Sequence, residues 1–573
     1  MTYEVHPGAP RVDSVGLPPS DPTSSSIASL LIARVGDEHL GLRTHAADWT
    51  WGQVVAESAR RGHLARALQE PGPFHVGVLL DNDAEFIFWL GGAALTGATI
   101  VGINPTRDDQ TLAGEIRLTD CQLIITDTAG AARLERLDLA MASDRILDVT
   151  SPHYAAVLAS TPDDVALHAV PSAETIMLLL FTSGTTGASK AVRCSQKRLV
   201  TVAQKAVSKF GHHRNDVDYC CMPLYHGNAL MALWAPALVV GATVCLVPKF
   251  SAKTFVADIR HFRCTYFTYV GKAIAYILAT PATDDDQDNC LTRGFGTEAS
   301  PNDRLLFERR FGAPLLEGYG SSEGGAVVTP DPAAPPAALG RPAHADIVII
   351  DPESLVECAP AALDPSGRLQ NPDQAVGEIV DRTGSPGFEG YYANDLAGAE
   401  RTKNGWFWSG DLGYVDSAGF LYFAGRRGDW VRVDGENTST LVTERSLQKF
   451  PGVLAAAAYA VPDPVSGDQL MAALEMDHPD RLDPDDLADF LTNQHDLGSK
   501  GIPRLIRVST RLPATGSNKI LKRELQRQRW DVDEPIYHWK GRTPARYLPM
   551  TARDKLELVR RFTDAGRQNL LTL

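Results

Sequence analysis

Cysteine is scarce and poorly placed for cross-linking. The 573 residues hold eight, all before residue 359, with no C-x-x-C and a single close pair, Cys220–Cys221. That excludes a disulfide framework and a zinc site, and it fits a reducing compartment. Positive charge is also short: 55 Lys and Arg stand against 70 Asp and Glu, a formal net charge of −15. No basic stripe offsets it, which argues against a nucleic-acid partner. The N-terminus, MTYEVHPGAPRVDSVGLPPSDPTSSS, lacks both the basic and the apolar region of a signal peptide and reads as a mobile arm. An unbroken membrane-length run is missing too. The nearly uncharged stretch NALMALWAPALVVGATVCLV, 228–247, is split by Pro236, Gly241 and Thr243 into a helix ending near Val240 and a β-branched strand. FWLGGAALTGATIVGINP, 88–105, has the same layout. Both read as αβ units whose strands are buried on two faces. The expected location is the cytoplasm, with a peripheral attachment at the inner face of the plasma membrane left open.

What is present is length and alternation. A chain of this size exceeds one core and divides into domains. From about 28 to 425, helical runs alternate with short strands such as HVGVLL (75–80), QLIITD (122–127) and CTYFTYV (264–270). This predicts α/β layers with mostly parallel sheets and ligands at the carboxyl ends of strands. After about 365 the text becomes Gly-punctuated and aromatic, reading as hairpins or a small barrel-like subdomain. From about 429 a compact α+β piece follows. The expected layout is an arm over 1–27, a large domain over 28–427 and a small C-terminal domain over 428–573.

LFTSGTTGASKA, 180–191, sets two glycines, five hydroxyls and Lys190 on one loop after an apolar strand. Glycines let successive N–H groups converge on an anion, and the hydroxyls and ammonium add donors for a polyphosphate. The loop is not a Walker motif. That motif needs four residues between its glycines and a lysine directly after the second. Here two separate Gly184 from Gly187, and Lys190 comes three residues later. EGYGSSEGG, 317–325, supplies a flat face in Tyr319 and a hard oxygen ligand for Mg²⁺ in Glu323. WSGDLGY, 408–414, places Asp411 in a tight turn, where a carboxylate takes two ribose hydroxyls, and Arg426 follows in FAGRRGDW. RLPATGSNKILKREL, 511–525, presents Lys519 after another Gly/Ser turn. Taken singly, Glu323 reads as a solvated acid, Asp411 as a turn former and Lys519 as a surface cation. His226 in PLYH reads equally as a core histidine.

Together and in this order, these motifs resemble the adenylate-forming superfamily of acyl-CoA synthetases, luciferases and peptide-synthetase adenylation domains. RRGDWVRVDGEN, PLYHGNAL (223–230) and RYLPMT (546–551) are similar to the fatty-acid-transport-protein branch and its actinobacterial long-chain fatty-acid–CoA ligases. The resemblance implies ATP and Mg²⁺ as cofactors, coenzyme A as co-substrate, and a fatty acid or related lipid carboxylate as the acid. It implies that Thr182, Ser183, Gly184, Thr185, Thr186, Gly187 and Lys190 wrap the β- and γ-phosphates. Gly296, Thr297 and Glu298 with Tyr319 and Gly320 would form the adenine slot. Ser322 would touch the α-phosphate, Glu323 would hold Mg²⁺, and Asp411 and Arg426 would take the ribose. Lys519 would bridge the carboxylate and α-phosphate, then withdraw as the small domain turns on a hinge at Gly428. His226 would gate an acyl pocket formed with Tyr225, Tyr269 and Gly271.

Departures from the family pattern are Ser322 for Thr, Asn437 for Arg, Asn518 for Gly and Gly428 for a charged hinge residue. The expected activity is AMP-forming long-chain fatty-acid–CoA ligation. The alternatives are a steroid side-chain carboxylate as the acid, transfer to a carrier protein, and non-catalytic lipid handling at a membrane. Oligomeric state is not legible.

Overall fold

The computed structural model describes residues 25–571 apart from 166–169, 184–188, 330, 332, 336, 366, 385–386, 427–429, 434–435, 466, 495–496, 498–499, 517 and 543–544. Gly184, Thr185, Thr186, Gly187 and Gly428 lie outside the described residues. The expected arm gives way sooner than residue 27. Ser26 caps the helix Ile27–Ile32, and Ile27 itself is fully buried, because its side chain joins the main apolar core.

Two sheets organise the large domain. In the first, strands run in the order Ile146–Asp148, Cys121–Thr126, His75–Leu79, Thr99–Gly102, Ile176–Ser183, Ser189–Ser195. All neighbours are parallel except the final hairpin, where Thr182 faces Lys190. His75–Leu79 and Thr99–Gly102 are buried at every position, as strands covered on both faces must be. The second sheet orders Leu315–Glu317, Arg293–Thr297, Tyr266–Val270, Val217–Cys220, Thr243–Leu246, Leu40–Arg43, Asp48–Thr50, with only the last pair antiparallel. The repeated αβ unit is present twice. Ala84–Thr96 ends at Gly97 (φ 80°) and Ala235–Val240 ends at Gly241 (φ 76°). A residue with a Cβ resists that left-handed conformation, so glycine stops each helix and turns the chain into its strand.

The Gly-rich text after 365 supplies three strands of an antiparallel sheet ordered Ile347–Ile350, Gly377–Asp381, Phe407–Val415, Leu421–Arg426. A bridge from Gly340 to Leu421 links it to the short pair Val328–Thr329 and Arg341–Pro342. The next strand, Trp430–Val433, already belongs to another sheet, that of the small α+β domain. There Gly467–Met476 pairs with Val453–Asp463 and Leu505–Ser509, over separate apolar clusters that include Leu447, Leu474, Ile506 and Leu525. Among the described residues no helix is long and apolar enough to cross a membrane.

Candidate active site

Three adjacent parallel strands of the second sheet deliver their carboxyl ends to one place. Tyr266–Val270 runs into Gly271, Arg293–Thr297 into Glu298, and Leu315–Glu317 into Gly318 and Tyr319. The spacing is tight. A Cβ on Gly271 would stand 1.9 Å from the Glu298 carbonyl oxygen, and one on Gly296 would stand 2.3 Å from the Tyr269 carbonyl oxygen. Glu298 itself has φ 72°, a strained backbone for a residue with a side chain, of the kind that gathers at functional sites.

The antiparallel sheet closes one end of this place. Asp411 is not in a tight turn but inside the strand Phe407–Val415, after Gly410 at φ 74° and before a bulge. The extended backbone is what aligns it, because Asp411 pairs directly with Arg426 on the neighbouring strand. Arg426 Nε donates to Asp411 Oδ1 at 3.2 Å, and Tyr319 Oη donates to Oδ2 at 3.0 Å. Burial, then the neighbouring Asp411 charge, pushes the Tyr319 phenol well above its usual range, so it stays a donor.

At the opposite end, Glu323 is buried and draws long contacts from Thr182 Oγ1 (3.3 Å) and Tyr391 Oη (3.3 Å). The Arg401 guanidinium lies 3.9 Å from Glu323 and donates to Tyr391 Oη at 3.2 Å. Lys190 sits 5.4 Å over the Tyr391 ring. A buried carboxylate flanked by hydroxyls is an all-oxygen donor set, which fits a hard divalent cation. Sequence reasoning missed Tyr391 and Arg401. The aromatic pair after Gly390 in FEGYYAND was the available signal for the tyrosine.

Ser322 lies between the two ends. Its carbonyl accepts from Arg198, and its Oγ is 3.2 Å from where a Cβ on Gly227 would stand, which brings the His226 loop against it. Burial, then the charges of Arg107 and Lys519, lowers His226 to about 4, so the ring is neutral near pH 7. Tyr225 is buried beside it, ring centroids 5.5 Å apart. Tyr269 is only 1% exposed and presents little open surface. Its hydroxyl donates to Leu316 O and Glu317, so it packs behind these strand ends from the core side. Glu317, also unforeseen, accepts from Tyr269 and from Ala299 N, and burial raises it to about 7.

The small domain completes the site. Lys519 Nζ pairs with Glu298 Oε1 at 3.1 Å, and the ammonium draws Glu298 below its usual range. The lysine follows Asn518, whose φ of 61° asparagine tolerates better than most residues. At the turn's tip, a Cβ on Gly516 would stand 2.2 Å from the Tyr225 hydroxyl. Lys519 is thus at the site, not swung away from it.

Residues 35–392 match the family described as AMP-binding enzyme. The chain belongs to that family. It is 59% identical over 555 residues to the steroid-22-oyl-CoA synthetase of Rhodococcus jostii, covering 96% of this chain and 99% of that one. It is 39% identical over 517 residues to the medium/long-chain-fatty-acid–CoA ligase FadD17 of Mycobacterium tuberculosis, covering 90% and 99%. The fold matches that of ATP-bound MatB from Rhodopseudomonas palustris with TM-score 0.75 at 20% identity, over 88% of this chain and 98% of that one. This family member is an AMP-forming acyl-CoA ligase, an acid–thiol ligase acting on a lipid-like carboxylate.

Proposed function

We propose that the acid is a steroid carboxylate, which the ligase adenylates with ATP and then transfers to coenzyme A. The observation that carries this reading is the 59% identity, over nearly the full length of both chains, to a steroid-22-oyl-CoA synthetase. The long-chain fatty acid expected first from sequence has weaker support, at 39% identity to FadD17. A panel of steroid acids and fatty acids of graded length, assayed by CoA-dependent AMP release, tests it. The expected result is a kcat/KM for a steroid acid at least tenfold above that for any straight-chain acid. A fatty acid in first place overturns it.

In this reading Tyr319 stacks on adenine while Asp411, aligned by Arg426, accepts from the ribose hydroxyls. Thr182 donates a hydrogen bond to the outer phosphates and the Lys190 ammonium offsets their charge. Glu323, with the Thr182 and Tyr391 hydroxyls nearby, is the group that would hold Mg²⁺, which when bound offsets charge on the phosphate oxygens. A carboxylate approaching a polyanion meets like-charge repulsion, and Lys519 counters it. Its ammonium leaves Glu298 for the incoming carboxylate and the α-phosphate, and holds both as the acyl–phosphate bond forms and pyrophosphate departs. Neutral His226 and the buried Tyr225 border the acyl side and exclude water from the mixed anhydride. Withdrawal of Lys519 with the small domain then opens the carbonyl to the thiol.

A further inference from the structure

The contact between the two domains contains one buried acid that the chemistry above does not use. Glu475 belongs to the apolar strand Gly467–Met476, where a carboxylate would ordinarily point to water, yet its side chain is 2% exposed. Three donors converge on it. Lys272 Nζ lies 2.9 Å from Oε2, the Tyr276 hydroxyl donates to Oε1, and Leu512 N donates to Oε2 at 2.8 Å. Lys272 is itself 8% exposed, with its ammonium 5.4 Å over the Tyr276 ring.

The positions of those donors matter more than their number. Lys272 and Tyr276 lie on the helix Gly271–Ala279, whose first residue packs against the Glu298 carbonyl. Leu512 is at the base of the hairpin that carries Lys519. Leu521 N donates to Pro513 O at 2.8 Å, Ala514 bridges to Ile520, and Thr515 N donates to Lys519 O at 2.7 Å. A single carboxylate therefore fastens the root of the Lys519 hairpin to the helix that leads out of the site. The hairpin is held twice, by Glu475 at its root and by Glu298 near its tip.

We propose that Glu475, with Lys272 and Tyr276, is the clamp that holds the small domain in the adenylating orientation, making these three positioning residues for Lys519. The inference rests on the ligase reading above. With the interface closed, removing either charge leaves the other buried and uncompensated, so the clamp is made or broken as a unit. When the small domain turns to admit the thiol, Glu475 leaves with it and Lys272 stays behind. The clamp therefore favours the first half-reaction and contributes nothing to the second.

Glu475→Gln keeps the shape and removes the charge; Tyr276→Phe weakens the same clamp from the other domain. Hydrogen bonds to a charged group are worth roughly 1.5–3 kcal/mol, or about 10- to 150-fold. Pyrophosphate exchange into ATP is expected to fall by up to that factor in Glu475→Gln and by less in Tyr276→Phe. Conversion of synthetic acyl-adenylate and CoA to thioester is expected to hold or rise in both. Combining Glu475→Gln with Lys272→Met should cost less than the two separate losses together, because one contact is being removed twice. Equal loss in both half-reactions, or no loss in either, in variants that melt like the parent overturns the clamp. If Glu475→Gln does not fold, Tyr276→Phe decides alone. Wild-type protein inactive in both half-reactions refutes the ligase reading instead.

Discussion

Gly271→Ala adds a single methyl group where the backbone leaves no room for it. That Cβ would stand 1.9 Å from the Glu298 carbonyl oxygen, 2.3 Å from its carbonyl carbon and 2.7 Å from Ala299 N. All three are backbone atoms, so no flexible side-chain tip can move aside. A carbon rests about 3.3 Å or more from a carbonyl oxygen, so Glu298 must retreat by more than about 1 Å. It has little latitude, since its φ of 72° is already strained. Overpacking of this kind costs about 1–3 kcal/mol of stability, a modest share for a domain with so large a core. The functional loss should be greater. Glu298 ends the run expected to face adenine and anchors Lys519 at 3.1 Å, and a misplacement near 1 Å costs about 100-fold in rate. Pyrophosphate exchange, run at several ATP concentrations beside a thermal melt, separates the two effects. A folded Gly271→Ala protein with wild-type exchange rate and wild-type KM for ATP would refute the argument that this close approach builds the site.

Three further outcomes are expected. Lys519→Ala should abolish adenylation while sparing thioester formation from preformed acyl-adenylate, and normal exchange by the mutant removes the lysine from its role. Glu323→Gln takes one negative ligand from a hard cation, so adenylation should slow and need more Mg²⁺; an unchanged magnesium titration contradicts this. His226 has a folded value of about 4, below the ordinary 6.5. Its contribution to stability is therefore full above pH 6.5 and lost as pH falls towards 4, by at most about 3 kcal/mol. His226→Gln should flatten that acid limb in denaturant titrations, and identical limbs in the two proteins count against the neutral ring.

The parts of this molecule that could be read from sequence are those whose signal is local. Gly97 and Gly241 end their helices because of a backbone conformation that the tripeptide G-A-T announces. Lys519 was legible because its turn chemistry lies within a few residues of it. Asp411 shows the limit: the residue was found, but its setting is a strand, and what brings it to Arg426 is cross-strand register. Tyr391 is placed by a bridge to Val192 and Arg401 by the end of the helix Asp395–Arg401, both far in sequence from Glu323, while Glu317 opens the EGYGSSEGG motif without any local mark of its burial. Glu475 was concealed more thoroughly, since an acid in an apolar strand normally marks a solvent face, and its partner Lys272 is 203 residues away.

Arg426 ends one sheet and Trp430 begins a strand of another. Only residues 427–429 lie between, a tether of no more than about 14 Å when fully drawn out. The small domain therefore cannot drift off and return. On the proposed reading, in which the small domain turns between half-reactions and Asp411 takes the ribose, the turn is tethered at the strand end beside Asp411, next to the sugar end of the nucleotide. A bulky substituent on the ribose edge of an adenylate analogue would then sit against that tether. Such a compound should arrest the turn as well as fill the pocket, whereas the same bulk on the acyl end would only compete for space.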